Sequence, residues 1–234
     1  MEFFQKLEID LLVGKNQRFF LKICFLMTDD LQKFYNEIWV SNQITKLYLP
    51  EISFQMLLSE LLYTIPLKSV SGITDIDIAK IEFDSRKIEP NTLFVAIPGT
   101  QVDGHNFIQK AIESGATAIL CERFPEVLVE YVTYILVENS AKCMGIAACN
   151  FYGNPSKSLT LVGVTGTNGK TSIATLLFNL FRKLGYKCGM LSTVQNQVED
   201  EVIPSTHTTP DSVKINELLS IMQQKGCVYV FMEV

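Results

Sequence analysis

The sequence is short of the features that mark several common protein classes. It has two histidines and six cysteines in 234 residues, and no two cysteines form a C-x-x-C pair. Cys143 and Cys149, the nearest two, fit neither a usual zinc spacing nor one helix face. Scattered thiols of this kind read as reduced and mostly buried, in a cytoplasmic protein. Excess positive charge is also missing, since 20 Lys and Arg against 25 Asp and Glu leave a net charge of -5. That gives no electrostatic footprint for nucleic acid or an anionic membrane surface, so any phosphate must be held locally. No long apolar run opens the chain: Phe19 to Met27 is broken by Lys22 and is too short to cross a bilayer. No membrane insertion is expected. What is present, 47% hydrophobic and 19% charged residues, describes an ordinary packed globular protein.

Three regions differ in pattern. Residues 1–55 hold seven of the 15 Phe and the single Trp, Trp39, with one Gly and one Pro. Their apolar residues follow neither a helical nor a strand period, and they read as an extension of unknown role. Met56 opens a tidier pattern, "MLLSELLYTIP", with Leu57, Leu58, Leu61 and Leu62 on one helical face, and reads as the functional start. Residues 56–154 alternate strands such as "LFVAI", "TAILC" and "TYILV" with a helix over "HNFIQKAIESG". That helix is expected to bury Phe107, Ile108, Ala111 and Ile112. "YGNPSKS" then has the turn chemistry of a linker.

Residues 155–234 are the most legible. "LTLVGVT" is a strand that runs into a glycine loop, followed by a helix with Ile173, Leu176, Leu177, Leu180, Phe181 and Leu184 at helical spacing. "CGMLST" is a second strand, Asp211 caps a second helix, and "VYVFMEV" is a third strand. Strand and helix alternation predicts an α/β fold with a parallel sheet. So few strands leave an exposed apolar edge, and the sheet is expected to be the opening part of a longer, truncated domain.

In the loop, Gly166, Thr167, Asn168, Gly169, Lys170, Thr171 and Ser172 are the expected nucleotide contacts. A loop between strand and helix aims backbone N–H groups at one point, at the positive end of the helix dipole. Gly166 and Gly169 let an anion approach, Lys170 can reach the β and γ phosphates, and the Thr171 hydroxyl suits Mg2+. The fit to the strict G-x-x-x-x-G-K-[ST] pattern is imperfect, because Val164 stands where its first Gly would be. Glu233, near the carboxyl end of an apolar strand, is placed to help hold Mg2+.

"GVTGTNGKTS" resembles the ATP site of the Mur ligases, the ATP-dependent amide-forming enzymes of peptidoglycan synthesis. "FDSRKIEPNTLFVAIPGTQVDGHNFIQKAIESGA" is similar to the UDP-binding domain of the MurE type, and "STHTTPDS" and "FMEV" follow in the same order. The resemblance covers about Met56 to Val234. It implies a small α/β UDP-sugar-binding domain followed by the start of a central ATP-binding domain. It further implies that Phe83, Ser85, Thr100 and Gln101 meet the UDP end of UDP-N-acetylmuramoyl-L-alanyl-D-glutamate, and that Thr208 and Thr209 meet its peptide end. Arg86 suits a diphosphate, or else pairs with Glu82 or Asp84. His207 stands where some members carry Asn and is read as a polar contact, while His105 is read as a helix-start residue. Lys170 is the implied catalytic residue, with ATP and Mg2+. The implied reaction phosphorylates the D-glutamyl side-chain carboxylate, and a diamino acid then displaces phosphate. Diaminopimelate is favoured over L-lysine as that amine, though the implied selecting domain follows residue 234, so no ligase turnover is expected from the chain itself. Another Mur ligase, a folylpolyglutamate synthase and a non-catalytic nucleotide-binding fragment are the alternatives.

Overall fold

A computed structural model describes residues 55–99, 102–204 and 210–234, with the backbone of two strands at residues 6–13 and 17–24. The chain divides into two compact units: Glu51–Pro155 with Pro210–Ser220, and Ser156–Thr209 with Ile221–Val234 and the N-terminal strands.

In the first unit, β3 (Met56–Leu57) pairs with β5 (Asp77–Ile78), and α1 (Leu58–Leu61) is a single turn. The main sheet runs β4 (Leu67–Ser71), β9 (Thr133–Val137), β8 (Ala116–Cys121), β7 (Thr92–Val95) and β6 (Lys80–Glu82), parallel except for β4. The central strands are buried at nearly every position, with apolar residues at all but Thr92, Thr117 and Thr133, because both sheet faces are covered. Leu93, Val95, Leu120 and Ile135 face α3 (Ser140–Phe151), which contributes Cys143, Met144, Ala147 and Phe151. Phe94, Ile119 and Tyr134 face the other way, toward Ile108, Ala111 and Ile112 of α2 (Ile108–Glu113).

Two local expectations change here. The segment before α2 is a 3-10 turn, Gly104–Phe107, which rotates Phe107 off the buried face and leaves it 36% exposed. The sequence reading had no helix at α3, because its buried positions are Ala, Cys and Ser more than Leu or Ile and the apolar stripe is faint. Asn139 starts it by accepting the Lys142 N–H at 2.7 Å.

The second unit holds a sheet in the order β13 (Glu201–Pro204), β12 (Gln195–Val198), β11 (Cys188–Leu191), β14 (Tyr229–Glu233), β10 (Thr160–Val164), β1 (Lys6–Val13) and β2 (Gln17–Cys24). β14 pairs in parallel with both β11 and β10, and the other pairings of this sheet are antiparallel. The β12–β13 hairpin adds antiparallel strands to what the alternation pattern presents as a purely parallel sheet. The edge of β10 is also not bare, since β1 lies antiparallel to it with Leu12 opposite Gly163. The apolar pattern of this N-terminal stretch shows no clean strand period from which these two strands could be expected.

Helix α4 (Lys170–Lys183) covers one face, burying Ile173, Ala174 and Phe178 against Val162, Val164, Met190 and Phe231. Leu180 and Leu184, expected on that face, are 51% and 63% exposed. Phe178 is buried in their place, and Phe181, also expected on that face, packs partly buried beside it. Helix α5 is Ser212–Gln224, and Asp211 accepts the Lys214 N–H at 2.9 Å as its cap. On the face opposite α4, Met222 of α5 sits over Gly189, where a Cβ would collide with its sulfur. Among the described residues, no helix is long and apolar enough to cross a membrane.

Candidate functional site

The parallel strands β10, β14 and β11 send their carboxyl ends to the same edge of the sheet, where Val164 stands opposite Glu233. Carboxyl ends of parallel strands are where such folds bind ligands. The loop from Thr165 to Gly169 crosses this edge exposed to solvent. It turns at two glycines in conformations that a side chain disfavours, Gly166 with φ 149° and Gly169 with φ 77°. Gly169 is the N-cap of α4 and, having no side chain, supplies no side-chain cap, so the positive end of the helix dipole lies at the loop. Lys170 folds back over the loop, its Nζ donating to the Gly166 carbonyl at 2.9 Å. Loop, helix start and ammonium thus converge on one region, as an anion cradle requires.

Glu233 stands beside that cradle. Its Oε2 accepts from the Thr171 hydroxyl at 3.0 Å, the Thr193 N–H at 3.2 Å and the Thr193 hydroxyl at 3.1 Å. The expected metal pair, Thr171 and Glu233, is therefore in direct contact although the residues stand 62 apart in sequence. Hard oxygen donors of this kind suit Mg2+. Among the described residues no group of three or more His, Cys, Asp or Glu could cage a metal alone. Thr193 carries no local motif of its own. A positional signal was available, since it follows β11 at the same carboxyl edge that singled out Glu233.

In the first unit, Phe83 and Ser85 lie just past the carboxyl end of β6. Phe83 is 40% exposed and Ser85 is buried. Arg86 pairs with Asp84 through Nε and Nη2, both at 2.8 Å, which realises the ion-pair reading of this arginine. The guanidinium beside it pulls the Asp84 carboxyl down to about 2. Beyond β7, Pro98 and Asp103 bridge the base of a turn, and the Gly99 N–H donates to the Val102 carbonyl at 3.1 Å. Thr100, Gln101, His207, Thr208 and Thr209 lie outside the described residues.

His105 proves to be more than a helix-start residue. Its ring is buried and accepts the Glu122 N–H at Nε2, 2.9 Å away, which puts the ring proton on Nδ1 to donate to Asp103 at 2.7 Å. Asp103 also accepts from the His105 N–H and from Arg123, and these donors hold its carboxyl far below the usual range. Glu122 in turn accepts from the Ser140 N–H and hydroxyl at the start of α3. The network ties the turn after β7 to the end of β8 and to α3. The described cysteines are all free thiols, and burial pushes those of Cys121, Cys188 and Cys227 up to about 11.

Two family models match the chain, the Mur ligase family catalytic domain over residues 77–152 and the Mur ligase middle domain over residues 164–234. A UDP-N-acetylmuramoyl-L-alanyl-D-glutamate–2,6-diaminopimelate ligase of Bacteroides fragilis is 56% identical over 179 residues, 76% of this chain and 37% of that protein. The ligase of the same name from Cytophaga hutchinsonii is 53% identical over 180 residues, with the same shares. The chain thus spans 37% of the length of these curated relatives. In fold it is similar to a solved ligase of that name, with a TM-score of 0.62 at 23% identity over 77% of this chain and 36% of that one. It is also similar to MurF from Acinetobacter baumannii, with a TM-score of 0.55 at 18% identity over 78% and 36%.

Proposed function

Because the chain belongs to the Mur ligase family, we propose that it carries the UDP-sugar-binding and nucleotide-binding parts of an ATP-dependent amide ligase of peptidoglycan synthesis, working in the cytoplasm. The substrate we assign is UDP-N-acetylmuramoyl-L-alanyl-D-glutamate, and the amine is meso-diaminopimelate. ATP is the second substrate, with Mg2+ as its ion. The observation that carries this reading is the contact of Thr171 with Glu233 at 3.0 Å beside an uncapped helix start.

A carboxylate does not react with an amine at neutral pH, because its oxygen leaves poorly. In the proposed reaction a D-glutamyl carboxylate oxygen attacks the γ-phosphorus, and the bond to the ADP oxygen breaks. The amine nitrogen then attacks the acyl carbon, phosphate leaves, and the nitrogen gives up a proton. Mg2+, held by Thr171, Glu233 and phosphate oxygens, would screen the charge between the reacting groups. The residues Gly166, Thr167, Asn168, Gly169, Lys170, Thr171 and Ser172 bind and orient the triphosphate. Lys170 leaves the Gly166 carbonyl to meet the β and γ oxygens, where its charge lowers the barrier to transfer. In the first unit, Phe83, Ser85, Thr100 and Gln101 hold the uridine nucleotide, and Thr208 and Thr209 bind near the peptide end.

Calorimetric titration of the chain tests this. Mg·ATP and UDP-N-acetylmuramoyl-L-alanyl-D-glutamate should each bind, and Lys170→Ala should weaken Mg·ATP at least about tenfold without changing the second affinity. Unchanged Mg·ATP binding by the variant would remove the loop from the site. Failure of the UDP-sugar dipeptide to bind would remove the assigned substrate.

A further inference from the structure

Three donors converge on Glu233 Oε2, and two of them come from Thr193. Thr193 itself is fixed by the preceding residue. Ser192, 4% exposed, donates its hydroxyl to the Gln195 carbonyl at 2.7 Å and accepts the Gln195 N–H at 3.1 Å. These reciprocal bonds lock the turn between β11 and β12 and aim both the N–H and the hydroxyl of Thr193 at one carboxylate oxygen. Two donors from one residue fix a carboxylate in distance and in rotation.

We propose that Thr193, seated by the Ser192–Gln195 turn, is a positioning residue that holds Glu233 in its ion-binding orientation. This rests on the nucleotide-site reading above. Thr171 starts the helix that follows the glycine loop, so its hydroxyl is the natural one to leave Glu233 and meet the ion. The two bonds from Thr193 then remain, and the carboxylate stays in place. Without them, Glu233 must be ordered each time an ion binds, and the entropy of that ordering is subtracted from ion affinity.

The test uses Mn2+ as the probe, with free ion measured by electron paramagnetic resonance in the presence of saturating ADP. Thr193→Val keeps the N–H and removes the hydroxyl, and should weaken Mn2+ about tenfold. Thr193→Ser should restore affinity to within about twofold. ADP affinity in EDTA should be the same for all three proteins, a pattern that general loosening of the fold would not give. Wild-type Mn2+ affinity in Thr193→Val, beside a loss in Glu233→Gln, would overturn the positioning role alone. Wild-type affinity in Glu233→Gln as well would overturn it together with the ion site on which it rests. A Thr193→Val protein whose ADP affinity in EDTA falls in step with Mn2+ would also overturn it.

Discussion

Replacing His105 with alanine should cost the first unit far more than its place in an exposed-looking turn implies. The ring is 4% exposed and makes two hydrogen bonds, from the Glu122 N–H at 2.9 Å and to Asp103 at 2.7 Å. Alanine leaves the Glu122 N–H without its acceptor, and an orphaned buried donor costs roughly 1–3 kcal/mol. The bond to Asp103 is charge-assisted and worth roughly 1.5 kcal/mol or more, discounted here because Asp103 keeps Arg123 and the residue 105 N–H. Together the loss is about 2–4 kcal/mol. At roughly 2–4 °C per kcal/mol for a chain of this size, the melting temperature falls by roughly 4–16 °C. Thermal unfolding followed by circular dichroism reads this directly. A fall of less than about 2 °C would refute the reasoning, because the network could not then be bearing on stability.

Other perturbations have equally definite outcomes. Arg86→Ala should release the Asp84 carboxyl from about 2 toward its ordinary value near 3.8, as followed by carbon NMR of the side chain. Because the folded carboxyl is the more acidic form, the pair's small contribution is present above the ordinary value and disappears as pH falls toward 2. Arg86 is 79% exposed, so the melting temperature at pH 7 should hardly move. Thiol titration of the native chain at pH 8 should leave Cys121, Cys188 and Cys227 nearly unreacted, since thiols at about 11 hold only about one thiolate in a thousand. Equal reactivity of all thiols before and after denaturation would contradict that burial. Gly189→Ala should lower the melting temperature by pressing a methyl against Met222, and Met222→Ala in the same chain should return part of the loss. Strict additivity of the two would show that they do not touch.

The glycine loop was readable because its chemistry is local: strand, loop and helix lie within one short stretch, and each announces itself through periodicity or turn residues. The position of Glu233 at the carboxyl end of an apolar strand was readable for a similar reason, as a lone acid there. The β12–β13 hairpin was not, because "QNQV" and "EVIP" are too polar to stand out as strands of a buried sheet. Phe178 displaced Leu180 and Leu184 from the core because the helix phase is set by the strands beneath it, which one-dimensional spacing does not contain. His105 and Thr193 were missed for a third reason. Their partners lie 17 and 40 residues away, and only the folded chain brings Glu122 and Glu233 to them.

The order of strands in the second sheet has a consequence for how the protein is made. β14 lies between β10 and β11, yet it is the last of the three to leave the ribosome. Until Tyr229–Glu233 emerges, β10 and β11 have no shared ladder, and each shows the nascent chain's surroundings an unpaired apolar edge. The glycine loop can be translated, and α4 wound, well before the sheet that aims them exists. Insertion of one five-residue strand then zips two ladders at once and delivers Glu233 to Thr171 in the same step. Synthesis therefore passes through an interval in which both strands are open to capture by chaperones or by other copies of the chain, until β14 joins them.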